Sequence, residues 1–97
     1  MKVMAIVSIP QPLSPEQQAR IMPKEVPATL QLYLDGKIEQ FWFRYDVLGV
    51  IFLLEVQSIE EAKTLVEGLP LGDEGLSQCE FIPVGPLAPL GLLLQGR

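Results

Sequence analysis

Two proline-free segments, residues 40–47 and 50–57, follow each other in the chain with the alternation of β-strands, and both are apolar on two faces. One face carries Phe41, Phe43, Tyr45, Val47, Val50, Phe52, Leu54 and Val56, and the other carries Trp42, Ile51 and Leu53. An antiparallel sheet in a small monomer normally has one face in water, so two apolar faces require two covers. We expect helices of the chain to cover one face and a second copy of the protein to cover the other.

The composition supports association and excludes several classes of function. A chain of 97 residues forms one domain with a thin core, and its hydrophobic fraction of 48% is high for that size. The net charge of −5, with Lys and Arg spaced singly, predicts no nucleic-acid binding. No apolar run approaches the roughly 20 residues of a membrane span, so no membrane partner is predicted.

Cysteine and histidine usage limits the chemistry further. Cys79 is the only cysteine and the chain has no histidine, which excludes an intrachain disulfide and His-containing metal sites. We expect Cys79 to be a small buried hydrophobic side chain, and we predict no metal and no cofactor. The unpaired cysteine and the lack of an export signal predict a cytoplasmic protein.

The first half of the chain predicts a strand followed by a helix. Residues 2–9 are apolar on both faces, as in a central strand, and Ser14 with Gln17 forms a capping box that begins a helix. The expected inward stripe of this helix is Ala19, Met22, Val26, Leu30 and Tyr33, and the helix should stop at residues 35–36. Pro23 and Pro27 predict a break or kink near residues 22–26.

The second half of the chain predicts a hairpin, a helix and a last strand. If the hairpin turn centres on residues 47–48, Phe43 opposes Phe52 and Trp42 opposes Leu53. Ser58 and Glu61 begin the second helix, residues 72–75 form a loop, and Pro83 marks an edge strand over residues 77–84. The order is β-α-β-β-α-β, a ferredoxin-like α+β fold, over residues 1–84, and the apolar tail of residues 85–97 is expected to pack on a subunit surface.

The ordered set of local motifs resembles the muconolactone isomerase family over roughly residues 2–90. The matching pieces are Ser14-Pro15, Glu25, Gly36-Lys37, Phe41-Trp42, Val56-Gln57-Ser58, Leu69-Pro70-Leu71 and Pro86-Leu87-Ala88-Pro89. The resemblance implies a dimeric α/β barrel, a homodimer that could assemble further into rings. It also implies a cleft between helices and sheet where a small lactone acid is isomerised by proton transfer. The chain differs from the family pattern in having Phe43, not Arg, directly after Trp42, and in lacking histidine.

Five residues are candidates for a site. Arg44 and Trp42 could hold a carboxylate-bearing ligand by a bidentate pair and by stacking, with the alternative that Arg44 forms a salt bridge to Asp46, to Glu55 or to a partner subunit. Glu55 could act as a general base if it is desolvated, and Tyr33 could offer its hydroxyl. Glu25 matches a family position but lies about 100° from the centre of the expected stripe, so we expect it to face solvent.

Two functions remain open from the sequence. The first is an isomerase in which Glu25 or Glu55 moves a proton alpha to a carbonyl and Arg44 holds the substrate. The second is a non-catalytic oligomeric module that binds a hydrophobic metabolite or serves assembly only.

Overall fold

A four-stranded antiparallel sheet with helices on one face makes up the domain. The computed structural model describes residues 1–87, so most of the predicted tail packing, residues 88–97, lies outside the described residues. The elements are β1 (Lys2–Ser8), α1 (Pro15–Leu34), β2 (Ile38–Phe43), β3 (Gly49–Glu55), α2 (Ile59–Glu67), α3 (Pro70–Asp73) and β4 (Gln78–Val84). The sheet order is β2-β3-β1-β4. The predicted ferredoxin-like fold is confirmed, with β1 central and the Pro83 strand at an edge.

The core lies between the sheet and the helices. Alternate residues of β1 and β3, such as Val3, Ala5, Phe52 and Leu54, are almost completely buried beneath α2 and part of α1. Ala62 and Val66 of α2 pack onto the same cluster. Because side chains alternate along a strand, burying these residues directs their neighbours to the opposite face of the sheet.

The opposite face of the sheet is apolar and has no cover within residues 1–87. The registers of the three strand pairs place one set of side chains together on this open sheet face. The set is Met4, Ile6, Trp42, Ile51, Leu53, Ile82 and Val84. Trp42, Ile82 and Val84 are 44%, 38% and 40% exposed. The prediction of a sheet with two apolar faces is therefore confirmed.

The predicted register of the hairpin was wrong by two residues. Phe43 pairs with Val50 and Trp42 with Ile51, because β2 already ends at Phe43 and a loop over residues 44–48 replaces the tight turn. The amide of Arg44 donates to the Gly49 carbonyl at 3.0 Å and closes that loop. A shift of two residues keeps every side chain on its predicted face, so the assignment of faces survived the error.

The first helix does not break near residues 22–26, so of the predicted break or kink the break was wrong. α1 continues for 20 residues through Pro23 and Pro27. The two prolines lie one turn apart on an exposed side of the helix, and the carbonyls that lose their donors belong to Ala19 and Pro23, which are exposed as well. Water can satisfy those carbonyls, so the helix continues without a buried unpaired group.

The inward stripe of α1 differs from the predicted one. Ile21 and Glu25 are buried and Ala28 and Leu32 pack against the core, whereas Ala19 of the expected stripe is exposed. The predicted capping by Ser14 and the stop at Asp35 and Gly36 are confirmed, with Gly36 at φ +79°. α1 thus rests on the core by a stripe displaced by about one residue position from the expected one.

The segment after α2 contains a helical turn that the sequence analysis described as a loop. α2 begins at the predicted cap, where the Ser58 hydroxyl accepts from the Glu61 amide, and it ends at Gly68. Pro70 then begins α3, and Gly72 fits close against α2, since a Cβ there would lie 2.9 Å from the Val66 carbonyl oxygen. Among residues 1–87, no helix has the length and hydropathy needed to cross a bilayer.

Candidate functional site

A cavity of about 250 Å³ lies between the middle of α1 and the helix-side face of the sheet. Met22, Val26 and Leu30 of α1 form its roof, so most of the stripe that was predicted to enter the core lines this space instead. Val7, Phe52 and Val50 form the floor, and Leu69 and Leu71 close the end beside α3. The walls are thus almost entirely apolar.

The mouth of the cavity is formed by large apolar side chains that are partly exposed. Leu30, Phe41, Phe43 and Leu48 line the cavity and also face solvent, with Phe43 79% exposed. Tyr33 packs edge-on against Phe41, with ring centroids 5.3 Å apart. An apolar molecule entering from this side would cover side chains that water otherwise contacts.

Glu25 is the charged residue that lines the cavity, and it is only 9% exposed. Its Oε1 accepts a hydrogen bond from the Leu71 amide at 2.9 Å, and its Oε2 accepts one from the Thr29 hydroxyl at 3.3 Å. The first bond joins α1 to the start of α3, where the preceding residue Leu69 offers no side-chain cap. Both carboxylate oxygens therefore act as acceptors at an apolar wall.

The expectation that Glu25 faces solvent was wrong. The buried stripe of α1 contains Ile21, Ala28 and Leu32, and Glu25 is the second of its four positions, between Ile21 and Ala28. The carboxylate is tolerated there because the Leu71 amide and the Thr29 hydroxyl supply donors. The sequence did contain the signal, in the form of one charged residue at helical spacing within an apolar stripe.

Arg44 and Trp42 lie away from the cavity. Arg44 donates two hydrogen bonds to the Asp46 carboxylate, at 3.0 and 2.7 Å, and these bonds lower the pKa of Asp46 to about 2. Trp42 lies on the open sheet face beside Ile51. Arg44 therefore forms the salt bridge to Asp46 that was its predicted alternative role. Neither Arg44 nor Trp42 lines the Glu25 cavity.

Glu55 lies at the end of β3, on the open sheet face and 47% exposed in its side chain. It pairs with the amino terminus at 3.7 Å and with Lys2 at 3.4 Å, and Lys2 also pairs with Glu39. Of the five candidate residues, the structure thus brings Glu25 to the cavity and Tyr33 to its rim. The roles assigned to these residues stay predictions.

Hydroxyl-bearing residues were missed by the sequence analysis. Thr29 lies one turn after Glu25, and Ser77 precedes β4, and both line the cavity. The i, i+4 spacing of Glu25 and Thr29 could have indicated their contact, whereas nothing local to Ser77 predicts its position.

Two other kinds of site were considered for residues 1–87, a metal site and a reactive thiol. Among residues 1–87, no three Asp, Glu or Cys side chains converge on a point that could hold an ion. Cys79 is partly buried against the core, and this burial raises the pKa of its thiol to about 12. A thiol with such a pKa is protonated and unreactive at neutral pH.

Comparison with solved structures identifies the architecture. A crystal structure of muconolactone isomerase superposes with a TM-score of 0.75 over 89% of this chain and 90% of that one, at 16% identity. The chain has a muconolactone isomerase-like fold. A second structure with this fold is 5-chloro-2-hydroxyhydroquinone dehydrochlorinase (TftG) of Burkholderia phenoliruptrix in complex with 2,5-dihydroxybenzoquinone. It matches with a TM-score of 0.69 at 17% identity, over 88% of this chain and 94% of that one.

At these sequence identities the comparison establishes the muconolactone isomerase-like fold. The activity has to be inferred from the residues of the site. No protein-family model matches the chain, and no curated protein matches it. The predicted resemblance is thereby confirmed at the level of the fold.

Proposed function

We propose that the protein is a small-molecule isomerase in which Glu25 transfers a proton within the cavity beneath α1. The observation that carries the proposal is the position of Glu25, a buried carboxylate at the wall of an apolar cavity. A base in such surroundings is shielded from water, and general-base catalysis by a positioned carboxylate typically contributes about 10²–10⁴-fold in rate. The names of the two structural neighbours, an isomerase and a dehydrochlorinase of small ring compounds, support a small-molecule enzyme.

The proposed reaction is a shift of a double bond in a small unsaturated lactone or carboxylic acid. The Glu25 carboxylate removes a proton from the saturated carbon beside the double bond, which is the alpha carbon of a β,γ-unsaturated lactone and the gamma carbon of an α,β-unsaturated one, and the electron pair of the C–H bond passes into a dienolate. The protonated Glu25 then returns the proton to the other end of the dienolate, the gamma or the alpha carbon respectively, so that atoms and charge balance without a further reactant. Ser77 lines the same cavity and its hydroxyl can donate a hydrogen bond to the dienolate oxygen, whereas the Thr29 hydroxyl already donates its proton to Glu25.

The test uses an uncharged unsaturated lactone, α-angelica lactone, and muconolactone, which carries a carboxymethyl group on a related ring. Double-bond migration and deuterium incorporation from D₂O are followed by proton NMR. We expect the wild type to accelerate migration in at least one of the two, and Glu25→Gln to lower that rate by about 10²-fold or more. Glu60→Gln, an exposed carboxylate on α2, is the matched control and should keep the wild-type rate.

A non-catalytic binding module is the second candidate function. The observation in its favour is that Glu25 alone among the predicted catalytic and charged binding residues reaches the cavity, while Arg44 and Glu55 are paired elsewhere. Binding of either lactone without migration in the wild type would favour this alternative. Equal rates in the wild type and Glu25→Gln would contradict the role proposed for Glu25.

We also propose that the open sheet face is covered by a second copy of the chain, as a homodimer that could associate further. Its apolar centre, with Ile51 beside Trp42 and Ile6, is bordered at one end of the strands by the Lys2–Glu55 ion pair. A two-fold interface places the same apolar centre of both copies against each other, and two-fold dimers are the commonest oligomers. Light scattering should give twice the mass of the chain.

Matched charge variants test the dimer. Ile51→Glu places a charge at the centre of the open sheet face and should yield monomers, whereas Thr64→Glu on the exposed side of α2 should leave the mass unchanged. A folded wild type that stays monomeric at micromolar concentration would contradict the dimer. The tail of residues 85–97, whose first described residues are exposed, is proposed to pack on a neighbouring subunit of this assembly.

A further inference from the structure

The size and walls of the Glu25 cavity limit what it can hold. An apolar cavity of about 150 Å³ is known to accept benzene, so about 250 Å³ accommodates one six-membered ring with a small substituent. Phe41, Phe52 and Leu71 contribute apolar surface to the walls. These dimensions favour a flat or compact ring compound whose apolar part contacts the sheet and the roof of α1.

Glu25 forms the polar end of the cavity, and it can accept more hydrogen bonds than the two it receives in the structure. A carboxylate has about four lone-pair positions, and Glu25 uses one on each oxygen, for the Leu71 amide and the Thr29 hydroxyl. Both neighbours donate to Glu25, so the group that a ligand adds at this end must be a further donor. A ligand hydroxyl has one O–H donor, which the Glu25 carboxylate can accept.

The distribution of charge opposes an anionic ligand. Glu25 is the charged residue among those of residues 1–87 that line the cavity, and it is negative. Of the six Lys and Arg residues within 1–87, four are paired with carboxylates elsewhere: Lys2 with Glu39 and Glu55, Arg20 with Glu74, Lys37 with Glu61 and Arg44 with Asp46. The other two, Lys24 and Lys63, are exposed and do not line the cavity. A second carboxylate beside Glu25 would meet like charge in surroundings of low dielectric constant, without a compensating cation.

A cationic ligand fits less well than a neutral one. An ammonium group has three N–H donors and gives up strong hydration on entering the cavity. Glu25 can accept one or two of these donors, and the apolar walls leave the remainder unpaired. The cost of an unpaired buried donor therefore offsets the attraction between the charges.

We propose that the Glu25 cavity selects an uncharged ring compound that donates a hydrogen bond to the Glu25 carboxylate from a hydroxyl group. The proposal rests on the proposed function in placing the substrate beside Glu25, and it narrows the substrate class to hydroxyl-bearing neutral compounds rather than carboxylic acids. In an enol conjugated with a carbonyl, Glu25 would take the hydroxyl proton and return it to the enol carbon, so that the O–H bond is replaced by a C–H bond and the keto tautomer forms.

The experiment compares three probes on one ring frame: benzyl alcohol, benzylamine and benzoate. Each is titrated at neutral pH into the ¹⁵N-labelled full-length protein, and the dissociation constant is obtained from the shift of the Leu71 amide resonance. That amide reports directly on Glu25 because it donates to Oε1. We expect benzyl alcohol to bind at least about tenfold more tightly than benzoate and more tightly than benzylamine.

Two variants test whether the preference depends on the negative charge of Glu25 rather than on its hydrogen bond with the Leu71 amide. Glu25→Gln keeps an acceptor for the Leu71 amide and adds an N–H donor, so the preference for benzyl alcohol over benzoate should fall to about threefold or less. Glu60→Gln changes the net charge equally at an exposed position of α2 and should keep the wild-type preference. Preservation of the preference in Glu25→Gln would overturn the assignment to the Glu25 charge.

The outcomes distinguish this proposal from the proposed function. Tightest binding of benzoate or benzylamine, with the Leu71 resonance shifted, would overturn the ligand class while leaving a binding cavity at Glu25. The absence of any shift at Leu71 with all three probes up to millimolar concentration would overturn both. Migration of α-angelica lactone but not of muconolactone would support the proposed function and the exclusion of anionic ligands, while the hydroxyl donor is tested by the benzyl alcohol titration.

Discussion

The hydrogen bond from the Leu71 amide to Glu25 makes a stability prediction whose size follows from the structure. Glu25→Ala removes the acceptor and leaves the amide of a buried residue, 8% exposed, without a partner. An unpaired buried donor costs about 1–3 kcal/mol. The Thr29 hydroxyl adds little to that cost, because it can turn to the backbone carbonyl one helical turn earlier. A loss of about 2 kcal/mol in a domain of this size lowers Tm by roughly 8–16 °C.

The matched variant is Glu25→Gln, which retains an oxygen for the Leu71 amide. We expect it to lose about 1 kcal/mol or less, so the two variants should differ by at least about 1 kcal/mol. Glu67→Ala, at the exposed end of α2, is the surface control and should stay within about 0.5 kcal/mol of the wild type.

Urea unfolding followed by circular dichroism measures these differences, at one fixed protein concentration because association changes the apparent stability. The midpoint should fall in Glu25→Ala with an unchanged slope. Equal stabilities of Glu25→Ala and Glu25→Gln would refute the reasoning, since they would mean that the bond to the Leu71 amide contributes nothing to the folded state.

Three further predictions concern other parts of the chain. Gly49→Ala should destabilise the domain by several kcal/mol, because its Cβ would lie 2.1 Å from the Val7 carbonyl oxygen, whereas Gly85→Ala, with open space around it, should not; thermal melts compare them. NMR titration should give Asp46 a native pKa of about 2, which returns toward 3.8 in Arg44→Met. Because that pKa is lowered on folding, the stabilisation from this pair is present above pH 3.8 and is lost as pH falls through 2. Deletion of residues 88–97 should lower the oligomeric mass or make it depend on concentration, and a constant mass across a dilution series would argue against the proposed packing of the tail.

The order of elements was predictable because each boundary depends on local chemistry. Ser14 and Ser58 begin their helices through side-chain bonds to amides three residues later, and Gly36 takes a positive φ that favours glycine. The two apolar faces of the hairpin depend only on alternation, which a slip of two residues preserves.

The register and the site were less predictable because they depend on contacts between distant residues. β2 ends at Phe43, and the next amide, that of Arg44, donates to the Gly49 carbonyl to close the loop. No local sequence pattern indicates this hydrogen bond. Glu25 is buried because α3, 46 positions along the chain, presents the Leu71 amide to it. Hydropathy disfavours a glutamate on the buried side of a helix. The predicted inward stripe therefore left Glu25 out.

The two prolines of α1 have a consequence for how a molecule could enter the cavity. Pro23 and Pro27 carry no amide proton, so the helix lacks two hydrogen bonds in the stretch that includes Met22, Glu25 and Val26 of the cavity lining. Local opening of that stretch breaks fewer bonds than opening of β1, which is paired on both sides. We therefore expect amide protons of residues 21–30 to exchange with solvent faster than those of β1, and to slow when the cavity is occupied. A molecule that enters through the mouth would then be accommodated by a brief loosening of one helix while the sheet beneath it stays folded.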